Sequence, residues 1–128
     1  MSRSGILLFA HGARDPAWAE PFETVADRLR ERAVAAGDEV AMAYLEFMSP
    51  PIAEAAAGLV KKGCERVTIV PLFLGAGGHV RKDLPMLVDD LRARYPYVRW
   101  NLAQAVGETD ELIRAMVEAA WSLAQPED

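Results

Sequence analysis

The sequence has two histidines, His11 and His79, and both stand where short apolar runs give way to polar turns. His11 follows Ile6-Leu-Leu-Phe-Ala10, and His79 follows the run Val67 to Leu74 and the turn Gly75-Ala-Gly77-Gly78. A third residue of ligand type, Glu46, closes the apolar run that begins at Val40. Two imidazoles and a carboxylate with coordination positions left over suit a divalent transition metal such as cobalt, iron, nickel or zinc. An open position is what separates a working metal site from a structural one. Arg14, Arg81 and Lys82 flank the histidines and would form a local positive rim for a carboxylate-bearing ligand. Each residue also has a plainer reading. A loop histidine can bond a carbonyl, Glu46 can cap a backbone N–H, and the three cations can be solvated surface. Asp83 reads as a favourable charge in a helix's first turn, with orientation of His79 as the alternative.

For these residues to act together, the chain must deliver them to one place. Gly5 to Ala10 reads as a strand. Asp15 then caps a helix with Pro16 at its first position, where a missing N–H costs nothing. Trp18, Phe22, Val25, Ala26, Leu29 and Ala33 recur at helical spacing until Gly37. Val40 to Phe47 reads as a second strand, with Ser49 capping an alanine-rich helix from Ile52 to Lys62. Arg66 to Leu74 is a third strand, rich in β-branched residues and apolar enough to be buried on both faces. A helix from about Arg81, with Pro85 in its first turn, stops before Pro96. Val98 to Val106 is a more polar strand that suits a sheet edge. Leu112, Ile113, Met116, Val117 and Ala120 form the inner stripe of a last helix.

This alternation predicts a single flavodoxin-like α/β domain over residues 1–124, with a frayed tail at 125–128. Its four-stranded parallel sheet has order 2-1-3-4 and helices on both faces. Every strand of a parallel sheet points the same way, so His11, Glu46 and His79 fall at its carboxyl edge, where ligands bind. The first and third strands straddle the topological switch point.

Composition narrows the function classes. The chain has 128 residues, 52% hydrophobic and 26% charged, with a net charge of −5. That balance fits one globular domain and lacks the basic footprint of a nucleic-acid binder. The single cysteine, Cys64, cannot form an intrachain disulfide. The apolar run at 6–10 is too short for a signal peptide or a membrane span, so a cytoplasmic protein is expected. Gly75-Ala-Gly77-Gly78 lacks the third glycine of a dinucleotide fingerprint, and no Walker A pattern occurs.

Three stretches carry a family resemblance: Ala10-His-Gly-Ala-Arg-Asp-Pro16, Tyr44-Leu-Glu-Phe-Met-Ser-Pro50 and Pro71-Leu-Phe-Leu-Gly-Ala-Gly-Gly-His-Val-Arg-Lys-Asp-Leu-Pro85. Together they resemble the small sirohydrochlorin chelatases, the short cobaltochelatase and ferrochelatase proteins of cobalamin and sirohaem synthesis. The resemblance covers nearly the whole chain, with Ala13 where the family usually has serine. It implies a chelatase-like half-unit that inserts a divalent metal into a tetrapyrrole. His11, Glu46 and His79 match the metal-contacting positions, and one of them would accept the pyrrole protons. Arg14, Arg81, Lys82 and the loop N–H groups of Gly77 and Gly78 would fix the macrocycle's carboxylates. Co2+, Fe2+ or Ni2+ would be a substrate, with no permanently bound cofactor. The short members pair, so a homodimer is expected, with neither nucleic acid nor membrane as partner. The alternatives are a non-catalytic metal or tetrapyrrole carrier using the same residues, and a phosphohistidine phosphatase, which usually needs arginine where Ala10 stands.

Overall fold

The computed structural model describes residues 3–126 except Ala76, with the side chains of His79 and Arg81 outside the described set. Four strands, β1 (Arg3–Ala10), β2 (Glu39–Tyr44), β3 (Cys64–Pro71) and β4 (Arg99–Leu102), alternate with four helices. These are α1 (Glu20–Ala36), α2 (Ile52–Lys61), α3 (Gly78–Arg94) and α4 (Asp110–Ala124). The sheet order is β2-β1-β3-β4 and every pairing is parallel, the expected flavodoxin-like arrangement. β4 is an edge strand, as its polar residues anticipate.

β1 is central, and Leu7, Leu8, Phe9 and Ala10 are all buried because helices pack on both faces. Its pleat divides the core in two. Leu7 and Phe9 point with Val67, Ile69 and Trp100 towards Ala56 and Leu59 of α2 and Val88 and Leu91 of α3. Leu8 and Ala10 point with Val40, Met42 and Tyr44 towards Ala26 and Ala33 of α1. Right-handed crossovers produce this division, since the step from β1 to β2 runs opposite to the later two. The alanines of α1 let that helix lie close to the sheet.

Local signals set most boundaries. The Asp15 side chain accepts a hydrogen bond from Ala17 N (3.0 Å) and caps a 3-10 turn, Pro16–Ala19, that leads into α1. Gly37 ends α1 in the left-handed region at φ 75°. Arg92 Nη2 donates to the Trp100 carbonyl (3.0 Å) and Trp100 Nε1 donates to that of Tyr95 (3.2 Å), pinning β4 beneath α3.

Several expectations are corrected. Pro51, not Ser49, occupies the N-cap of α2, without a side-chain hydrogen bond. α3 begins at Gly78 rather than near Arg81, so Pro85 lies inside the helix and Asp83 is past its first turn. β2 stops at Tyr44, β3 at Pro71, and β4 spans only Arg99–Leu102, each shorter than its apolar run. The largest difference concerns α4. Its stripe of Ile113, Met116 and Val117 is exposed, Trp121 is 70% exposed, and no residue of α4 is buried. The helix starts soundly, since the Thr109 hydroxyl accepts from Leu112 N (3.3 Å), but neither half of the core includes it.

Candidate active site

The loops after β1 and β2 are sewn together by backbone hydrogen bonds. Leu45 N donates to the Ala10 carbonyl (2.9 Å) and Glu46 N to that of His11 (3.1 Å), carrying the β1–β2 pairing beyond the strand ends. Gly12 makes the approach possible: a Cβ there would collide with the Glu46 carbonyl oxygen, and its φ of 93° lies in the left-handed region. Glu46 therefore sits two residues past β2, in a bend rather than at a strand end.

This crossing brings two of the three expected ligands together. His11 Nδ1 lies 3.6 Å from Glu46 Oε1, with the side chains 50% and 49% exposed. The separation exceeds a hydrogen bond, and both groups remain open to a ligand. The His11 ring packs edge-on against buried Phe73, centroids 6.1 Å apart, and Phe73 in turn against Phe9 (6.0 Å). The imidazole is thus oriented from below by an aromatic stack rooted in the core.

His79 enters from the other side of the switch point, as the second residue of α3. Its side chain and that of Arg81 lie outside the described residues. Gly77 is the N-cap of α3 and Gly78 its first residue, which sets their N–H groups at the helix's positive end, suited to anionic groups. Lys82 is exposed on the same helix. Among the described residues no cluster of three His, Cys, Asp or Glu side chains forms.

The Arg14 guanidinium carbon lies 4.9 Å from the centroid of the Phe47 ring, and Phe47 as a residue is 58% exposed. Phe47 adopts φ 64°. Both residues line a cavity of about 290 Å³ with Ala13, Pro16, Glu23, Tyr44 and Met48. Burial pushes the Tyr44 hydroxyl's pKa above the usual tyrosine value, and the Glu23 carboxylate adds to the rise. Sequence reasoning missed Phe47, since neither glycine nor asparagine marks its left-handed backbone. Its place directly after Glu46 is the one signal that could have found it.

Comparison with known proteins matches the chain to a family. The family model described as CbiX matches residues 5–122. A sirohydrochlorin cobaltochelatase of Saccharolobus solfataricus is 33% identical over 95 residues, 71% of each chain. Another, from Sulfurisphaera tokodaii, is 28% identical over 114 residues, 89% of this chain and 88% of that one. The crystal structure of a CbiX protein ascribed to cobalamin (vitamin B12) biosynthesis, from Marinobacter aquaeolei VT8, aligns over 94% of this chain and 99% of that one. Its TM-score is 0.76 at 35% identity. SirB from Bacillus subtilis with Fe3+ has the same fold at TM-score 0.80 and 24% identity, and the alignment takes in 98% of this chain and 49% of SirB. With nearly all of its length matched by the family model, the chain belongs to the CbiX family.

Proposed function

We propose that this chain is a sirohydrochlorin metal chelatase, a lyase-class enzyme that inserts cobalt(II), with iron(II) and nickel(II) as the alternative metals, during cobalamin or sirohaem biosynthesis. The observation that carries the reading is the His11–Glu46 pair, 3.6 Å apart at the carboxyl edge of the sheet in a chain of the CbiX family. Relatives named as sirohydrochlorin cobaltochelatases support it.

Insertion exchanges two pyrrole N–H protons for one divalent ion. In this proposal His11, Glu46 and His79 hold the ion before it descends; as the ion passes to the four ring nitrogens, one of these residues takes up the two displaced pyrrole protons in turn and releases each to water. Imidazole binds a metal only when deprotonated, so the site loses its ion as the solution acidifies. Arg14, Arg81 and Lys82, with the Gly77 and Gly78 N–H groups, fix the carboxylates of the macrocycle.

The working form in this reading is a cytoplasmic homodimer, without nucleic-acid or membrane partners. Two features support pairing. α4 exposes an apolar face, and on the side of the sheet that α1 covers, the β3–β4 half carries exposed Arg66, Arg99 and Asn101. One sheet edge also offers only half a cleft for a macrocycle, and a symmetric pair supplies the other half. No helix among the described residues is long and apolar enough to cross a membrane.

The test follows the visible spectrum of sirohydrochlorin with cobalt(II), without protein, with the wild type, and with His11→Ala, Glu46→Gln or His79→Ala. Wild type should accelerate insertion, and each variant should lose roughly 100-fold or more of that rate, the usual contribution of a positioned acid–base group. Tight cobalt binding without acceleration would replace the chelatase with a carrier using the same residues.

A further inference from the structure

Phe47 combines two properties that core packing does not explain. It is a bulky, non-glycine residue at φ 64°, a region that costs an L side chain energy and that glycine or asparagine enters more cheaply. The residue is also 58% exposed, so little burial offsets that cost. The next residue, Met48, packs against the core beneath α1, as an apolar loop residue ordinarily does. Strain held without burial, beside a functional pair, is a reason to look for a ligand.

The surroundings define that ligand's chemistry. Phe47 directly follows Glu46 in the loop after β2, at the same carboxyl edge of the sheet, and it lines the cavity that Ala13, Arg14 and Met48 share. Arg14 lies over the ring at 4.9 Å, pairing an aromatic surface with a guanidinium. Across the switch point Leu74, just past β3, is 70% exposed at the same edge. A flat conjugated body stacks on an aromatic face, and carboxylates on its rim pair with a guanidinium. A tetrapyrrole bearing carboxylates has both features; a hydrated metal ion alone has neither.

We propose that Phe47 is a substrate-contacting residue: its ring is a stacking platform for the tetrapyrrole, aimed by the left-handed backbone, with Arg14 passing from the ring to a substrate carboxylate. The inference rests on the chelatase reading above and adds the residue that selects a flat macrocycle.

The experiment titrates metal-free sirohydrochlorin by visible absorbance against wild type, Phe47→Trp, Phe47→Leu and Phe47→Gly, with thermal midpoints measured alongside, including Phe47→Ala. Trp keeps a π face and should bind within about threefold of wild type, whereas Leu and Gly should bind about three- to tenfold more weakly, the range for losing an aromatic pair. Stacking holds substrate and transition state alike, so the loss should appear in KM with kcat little changed. Phe47→Gly should melt no lower than Phe47→Ala, the reverse of the usual order, because glycine relieves the left-handed backbone. Leu and Gly variants that bind sirohydrochlorin as tightly as wild type overturn the platform. A wild type that binds no sirohydrochlorin removes the chelatase reading and the platform with it.

Discussion

Helices α2 and α4 both carry apolar residues at helical spacing, yet α2 buries Ile52, Ala55, Ala56 and Leu59 while α4 buries nothing. α2 lies between β2 and β3 in the chain and crosses the central strand β1, so its stripe meets Leu7, Val67 and Ile69. α4 follows the edge strand β4 and turns away through a 3-10 segment, Val106–Glu108. There Gly107 N donates to the Phe73 carbonyl (2.8 Å), and a Cβ on Gly107 would collide with the Leu74 backbone. An apolar stripe therefore records that a helix is meant to be covered, and the topology decides whether its own chain does the covering. Contiguous exposed apolar faces of this kind mark interaction sites.

The largest expected effect separates the two helices by stability. Leu59 is 2% exposed and would lie against a Cβ added at Gly5, so the space beneath α2 is fully used. Leu59→Ala should lower unfolding free energy by about 2–5 kcal/mol, as for other buried leucines. Trp121→Ala, a larger truncation, should cost less than about 0.5 kcal/mol in dilute solution where the chain is monomeric. Urea denaturation at low protein concentration measures both, and equal losses would erase the contrast.

A second test asks what covers α4. Under the proposed pairing, the wild type should show the mass of two chains by light scattering and a melting point that rises with concentration. Val117→Glu with Trp121→Glu should give one chain's mass and a concentration-independent melting point, with the circular dichroism spectrum retained because neither side chain belongs to the core. A double variant that keeps the wild-type mass would mean that pairing uses another surface.

The same contrast shows how far the sequence could be read. Residues 6–10 announce a central strand because an uninterrupted apolar run needs cover on both faces, and Asp15-Pro16 and Gly37 mark ends that the backbone respects. The sheet order and the carboxyl-edge meeting of His11 with Glu46 follow from that alternation. Strand ends did not. Leu45 and Phe47 are as apolar as β2 itself, and the stretch becomes a loop through bonds that fold it back on itself, Tyr44 N to the Pro50 carbonyl (2.9 Å) and Met48 N to that of Glu46 (2.8 Å). The start of α3 was hidden because its glycines read as a turn although Gly78 begins the helix. Phe47 was hidden because nothing local specifies a left-handed phenylalanine, and α4 because periodicity names a buried face without naming its partner.

The smallest effect lies beneath α2, at Cys64. The thiol is 3% exposed, and a Cβ added at Gly5 would stand 3.1 Å from its sulfur. Burial pushes its pKa above the ordinary thiol value, with the Glu39 carboxylate contributing less. In the unfolded chain the thiol ionises at the lower, ordinary pH. The folded state therefore holds a proton that the unfolded state has lost, and stability falls as pH rises from the ordinary thiol value through the folded one. Tyr44, raised by burial first and by Glu23 second, adds a loss of the same sign at higher pH. Cys64→Ala should flatten the first part of this alkaline limb and leave the tyrosine part. Urea unfolding from pH 7 to pH 10 measures it, and an unchanged slope in the variant would remove Cys64 as its source. No thiol or phenol lies on α4, so the double glutamate variant of α4 should keep the wild-type alkaline limb even where its pairing is lost.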